Sequence, residues 1–208
     1  VEEAMSTVEL GELNLRNGKN DAAFEIFFDL AQYELSSDAQ FALIKMCSDG
    51  LLKTDQVESL MTWLNRESGR GNGYADYNVG LIHERGSIGN GPDYKKAVEF
   101  YLKAIKEDVH DALCNLGNIY ITGVGSAQGI PQDLEKGLEL LEKGAELGSR
   151  QAAYTVGSYY GKGEMVPANY NKAFLYLTLA SLAQHDQAKR ILLIMQHSVK
   201  DDFSKELE

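Results

Sequence analysis

One block of twelve residues returns along this chain, and it limits the fold more than any other feature. The block has a small residue first, an aliphatic fifth and a glycine twelfth. It reads Ala39 to Leu43 to Gly50, Ala75 to Val79 to Gly86, Ala112 to Leu116 to Gly123, and Ala152 to Val156 to Gly163. In the last three copies the sixth residue is also glycine: Gly80, Gly117 and Gly157. The blocks start 36, 37 and 40 residues apart, and an earlier, degenerate copy fits at Ser6 with Leu10, Gly11 and Gly18. A fixed period of this size marks stacked supersecondary units, each of which buries its apolar face only against its neighbours.

Each block leads into a second helical pattern. That pattern opens at Asp55, Asp93, Asp133 and Asn169, whose side-chain oxygens suit the free N–H groups of a helix start. Small residues then recur at seven-residue spacing (Ala97 and Ala104, Gly137 and Gly144, Ala173 and Ala180), where one helix lies close on another. Gly86, Gly123 and Gly163 fall where a helix ends in a left-handed turn, which suits a residue without Cβ. With only three prolines in 208 residues and few β-branched runs, helix is the default throughout. Each unit is therefore expected to be helix A, a tight turn and helix B. The expected fold is an all-α, right-handed α-solenoid of about five repeats, near 1–36, 37–72, 73–109, 110–149 and 150–185. A cap at 186–208 follows, its amphipathic helix reaching about Ser198 before a frayed, charged end.

The pattern Ala-x-x-x-Leu-Gly-x-x-Tyr-x-x-Gly, then Asp-x-x-Lys with a small residue, resembles the Sel1-like repeat, a relative of the tetratricopeptide repeat. The clearest copy holds Ala112, Leu116, Gly117, Tyr120, Gly123, Asp133, Lys136, Gly137, Lys143 and Gly144. Ala75–Ala104 carries His83 in the tyrosine slot, and Ala152–Ala180 carries Tyr160 with Lys172 and Ala173. In the second unit Ile44 and Cys47 stand where the repeat has glycine and tyrosine. The resemblance implies a non-enzymatic scaffold or adaptor that binds a protein or peptide; bacterial relatives include regulators and toxin-neutralising immunity proteins. The alternative it implies is a β-lactam-binding or hydrolysing enzyme, a role tied to members with regularly paired cysteines. Here Cys47 and Cys114 sit two repeats apart, outside that arrangement and, at about 10 Å per helix layer, beyond disulfide reach.

The residues offer little catalysis. His83, His110, His185 and His197 share no metal-ligand spacing, and His83 reads as a packed substitute for tyrosine. The glycine-rich stretches lack the Gly-Lys-Ser/Thr of a phosphate loop. No catalytic, cofactor or metal residues are assigned. The net charge of −11 is uneven: residues 1–72 carry 6 basic and 13 acidic side chains, 73–149 carry 7 and 12, and 150–208 carry 7 and 6. An acidic first two-thirds opposes nucleic acid and anionic lipid and favours a basic partner. No apolar run reaches the length of about 18 residues that a membrane span needs. A cytoplasmic location is expected, with export as the alternative if a leader was removed before Val1.

In such a stack the A helices line the concave wall. At 100° per residue, slots three, seven and eleven point away from the packed slots one, five and nine. The expected partner-binding residues are Phe41, Lys45, Tyr77, Leu81, Arg85, Asn118, Tyr154 and Ser158. Aromatic rings flanked by amide and charged groups suit a protein or peptide partner. The lengthened turn at 123–131 is a second candidate contact. Oligomeric state is left open.

Overall fold

The fold is described from a computed structural model covering residues 6–33, 36–86 and 91–205, with side chains described as far as residue 195. Among these residues all regular structure is helical, as eleven α-helices and one 3-10 turn. The chain forms two compact units, residues 1–107 and 108–208. The first holds α1 (Thr7–Arg16), α2 (Asn20–Tyr33), α3 (Ser37–Ser48), α4 (Thr54–Ser68), α5 (Gly73–Arg85) and α6 (Tyr94–Lys106). The second holds α7 (Asp111–Thr122), α8 (Leu134–Glu146), α9 (Arg150–Lys162), α10 (Tyr170–Leu182) and α11 (Asp186–Lys205).

The helix starts follow from side-chain oxygens. The Lys96, Lys136 and Lys172 amides donate to Asp93, Asp133 and Asn169 at 3.1, 3.0 and 3.0 Å. Asp55 does not take this role. It lies inside the first turn of α4, which starts after Lys53. There the Lys53 amide donates to Gln56 Oε1 (3.0 Å), while Lys53 Nζ and Gln56 Nε2 both reach Asp21 of α2, at 2.5 and 3.1 Å. The local bond is made by the Gln56 side chain, and Asp21 of the neighbouring helix holds the Lys53 and Gln56 side chains from outside. The predicted turn glycines Gly86, Gly123 and Gly163 have φ of 72°, 68° and 68°, the left-handed conformation that Cβ disfavours.

The sixth-slot glycines set how closely helices A and B approach. A Cβ at Gly80 would stand 2.6 Å from the fully buried Tyr101 ring, and one at Gly11 would stand 2.6 Å from Phe27. The degenerate first copy thus uses the same contact as the clear third. At Gly117 a Cβ would meet the Gly137 carbonyl oxygen at 2.9 Å, so α7 and α8 touch backbone to backbone. The second pair differs. Ile44 fills the glycine position and is buried, and α3 and α4 lack the close backbone approach of the other four A–B pairs. α3 instead packs on α2 and α5, and α4 on α5.

Each unit has its own core. Phe24, Phe27, Leu43, Leu60, Trp63 and Val79 anchor the first, and Leu141, Val156, Tyr176, Leu177 and Leu192 anchor the second. Ala188 and Leu192 of α11 are buried in the second core, with Ile191 and Met195 packed against it, as expected of a capping helix. α11 runs on to Lys205 instead of ending near Ser198, since neither glycine nor proline follows to stop it.

Candidate functional site

In residues 1–107, the α1 and α3 faces enclose a groove of about 400 Å³. Phe41, which is 73% exposed, and the exposed Lys45 line it with Val8, Glu12, Leu15, Arg16 and Asp38. Arg16 pairs with Glu12 at 3.1 Å, so two carboxylates and two cations share the rim. The other three predicted residues of this unit lie on α5. Arg85 Nη1 donates to Ser48 Oγ of α3 at 2.6 Å. Tyr77 is half-buried with its ring centre 6.0 Å from that of Tyr101, and Leu81 packs partly into the core. Beside them the half-buried Glu84 accepts from the Tyr101 hydroxyl, and burial pushes its carboxyl above the usual range despite that bond.

In residues 108–208, Tyr154 and Ser158 of α9 line a pocket of about 230 Å³ with Thr155, Tyr159, Lys162, Glu164 and Met165. Asn118 of α7 reaches its edge, accepting from the Tyr159 hydroxyl at 3.2 Å. Tyr154 stacks on His185 with ring centres 4.1 Å apart and planes 13° from parallel. Burial, helped by the Arg150 charge, lowers the His185 pKa. The Ser158 hydroxyl is buried and has no hydrogen-bond partner among the described residues. Cys114, in the same slot as Phe41 and Tyr77, is buried, with Thr155 Oγ1 3.6 Å from its sulfur. Cys47 is buried as well.

The eight predicted residues therefore fall into separate neighbourhoods. Phe41 and Lys45 share one groove, Tyr154 and Ser158 share a pocket edged by Asn118, and Arg85 bridges α5 to α3. Tyr159 was not anticipated. Its slot is about 20° from the packed first slot, so periodicity assigns it to the core, yet its long ring reaches the pocket. Met165 comes from the loop after α9, where helical periodicity says nothing.

The remaining conspicuous residues hold helices together. Lys136 Nζ lies 2.9 Å from the Tyr120 hydroxyl and 4.1 Å from its ring centre. Lys172 repeats this with Tyr160, at 3.0 and 4.8 Å, and both donate to Glu142 at 2.8 Å. Burial acts to raise the Glu142 pKa, but the bonds from Lys172 and Tyr160 outweigh it and hold the carboxyl below its usual value. His83 takes the tyrosine place in α5 and stacks on Phe100 at 5.9 Å, with its pKa lowered by burial and then by Lys96. The long turn after α7 is tied down rather than extended: Gln132 Nε2 donates to the Ile121 carbonyl at 2.7 Å, and Ile130 is buried.

The profile of the Sel1 repeat matches residues 73–109, 110–149 and 150–185, more than half of the chain. This chain belongs to the Sel1-repeat family. Two solved structures share the α-solenoid fold. A Sel1 repeat protein from Oxalobacter formigenes has a TM-score of 0.57 and 20% identity over 89% of this chain and 73% of its own. A protective antigen of uropathogenic Escherichia coli, described as displaying an SLR fold, has a TM-score of 0.55 and 22% identity over 87% of this chain and 34% of its own. Cytochrome c oxidase assembly factor 7 of Xenopus tropicalis is 34% identical over 98 residues. That stretch spans 47% of this Sel1-repeat chain and 41% of the relative. A Sel1-repeat fold points to protein–protein interaction. Among the described residues no helix is long and apolar enough to cross a membrane, and no group of three or more His, Cys, Asp or Glu side chains is placed to hold a metal ion.

Proposed function

We propose that this Sel1-repeat protein is a non-enzymatic scaffold that holds a protein or peptide through the exposed faces of its A helices. The observation that carries this reading is Phe41: a large ring left in water beside Lys45 in an open groove, where a packed helix would hide it. The pocket that Tyr154 lines with Tyr159, Lys162 and Met165 supports the same use of α9. Tyr77, Leu81, Arg85 and Asn118 extend these two contact areas. The preferred partner is basic. Two charges of each sign balance around the Phe41 groove, so that preference comes from the acidic field of residues 1–149 and weakens with salt. The same field opposes nucleic acid.

The Xenopus relative is named as a cytochrome c oxidase assembly factor; regulatory and toxin-neutralising roles would use the same surface. The cytoplasm is the proposed compartment, because both cysteines serve as small core side chains. A photo-crosslinking residue at position 41 or 154 captures the partner. Calorimetry then compares the partner's binding to the parent and to a Phe41→Ala, Tyr154→Ala variant. At least tenfold weaker binding with unchanged helicity is expected, and equal affinity overturns the reading. Turnover of a chromogenic β-lactam, lost on changing one groove residue, would instead establish the enzyme.

A further inference from the structure

The Phe41 groove lies between two A helices that run in the same direction. Both α1 and α3 pack on α2, to which short connections join them. Yet α1 and α3 do not approach each other as closely as α3 and α5, or α7 and α9, do. The space left between them is the groove, and the buried Phe27 of α2 is its floor.

The lining changes character along its length. Asp38 stands in the first turn of α3, and Arg16 is the last residue of α1, so they mark opposite ends. In the repeat register that sets Ser6 level with Ala39, Val8 is level with Phe41, and Glu12 with Lys45. With a rise of about 1.5 Å per residue, Asp38 to Arg16 covers roughly 16 Å, and the apolar levels of Val8 and Leu15 are about 10 Å apart. The groove is therefore acidic at one end, apolar at two levels two helical turns apart, charge-balanced between them and basic at the far end.

Hydrogen bonding decides what can lie there. An extended peptide leaves its N–H and C=O groups for its receptor to satisfy. No residue lining this groove carries a hydroxyl or a side-chain amide, and no strand edge exists among the described residues. A helix satisfies its own backbone and asks only for apolar contact and suitable charges at its ends.

We propose that the Phe41 groove takes an amphipathic helix of the protein partner, lying antiparallel to α1 and α3. This rests on the scaffold reading and specifies the form the partner presents. The helix carries large apolar residues at i and i+7 with another between them, an acidic first turn and a basic last turn. Its acidic end meets Arg16, and its basic end meets Asp38. That order of charges complements the partner helix's own dipole. The antiparallel direction also opposes that dipole to those of α1 and α3. The Glu12–Arg16 pair does not block the site: its side chains are 52% and 75% exposed, and pairs this open to water hold weakly.

Fluorescence anisotropy with three labelled synthetic peptides tests this. The first is stapled on its outer face into a helix, with leucines at i, i+3 and i+7, Glu at its N-terminal end and Lys at its C-terminal end. The second exchanges Glu and Lys; the third is the first with a central proline and no staple. The parent is expected to bind the first at least tenfold more tightly than the third and several-fold more tightly than the second. Phe41→Ala is expected to weaken the first at least tenfold with an unchanged circular dichroism spectrum. An Asp38→Lys, Arg16→Glu variant is expected to prefer the second peptide, and Asp38→Lys alone shifts the preference the same way if the double variant loses helicity. A proline peptide bound as tightly as the first would overturn the helix while leaving the scaffold reading in place. A charge variant that keeps the parent's preference, or a parent that binds none of the peptides, would also overturn it. So would a parent whose dimerisation with rising concentration is abolished by Phe41→Ala, which gives the groove to a second copy.

Discussion

Replacing Gly137 by alanine tests the close approach on which the repeat depends. A Cβ there would lie 2.4 Å from Ile121 Cγ1, 2.8 Å from the Gly117 carbonyl oxygen and 3.0 Å from the Ile121 amide nitrogen. Two of these three atoms are backbone, so no rotamer change relieves the contact. α8 must retreat from α7 by about 1 Å to restore ordinary contact distances, and overpacking of this kind costs about 1–3 kcal/mol. Alanine in a helix interior returns up to about 1 kcal/mol over glycine. The net expectation is a loss of about 1–2 kcal/mol. Gly161→Ala, in the same unit, supplies the opposite sign. Its Cβ would meet only Ala173 Cβ, at 3.7 Å, and its φ is ordinary, so it is expected to gain a few tenths to about 1 kcal/mol. Urea unfolding followed by far-ultraviolet circular dichroism reads both. Tryptophan fluorescence does not, because Trp63 lies in the other unit. If Gly137→Ala is as stable as Gly161→Ala, the backbone-contact argument is wrong.

Two further outcomes concern protons. Burial holds the Glu84 pKa above 4.5, so its contribution to stability is fully present below that value and is lost as pH rises through the folded pKa. Glu84→Gln, which still accepts from Tyr101, should gain on the parent over that rise in urea midpoint, and parallel curves would refute the assignment. For His185, burial and Arg150 place the folded pKa below 6.5, so its contribution is full above 6.5 and is lost as pH falls through the folded pKa. An NMR titration of its ring protons should therefore show a midpoint below 6.5, with Tyr154 ring shifts following the same curve because the two rings are stacked; a midpoint above 6.5 would contradict this.

The periodic blocks alone determined that the chain is helical, where most helices start and stop, and which family it joins. Those features depend on local chemistry: an oxygen before a helix, a glycine after it, small residues at the spacing of two turns. The tertiary structure decided the remainder. Ile44 in a glycine slot left α3 and α4 without the close contact of the other pairs, and Asp55 lies inside the first turn of α4, where the Gln56 side chain takes the Lys53 amide and is itself held by Asp21 of α2. Slot three held an exposed Phe41, a half-buried Tyr77 and a buried Cys114, although a helical wheel gives all three the same direction. A wheel fixes only the direction of a side chain. Whether a neighbouring helix covers it depends on how closely the helices cross, and that is set by residues elsewhere in the chain.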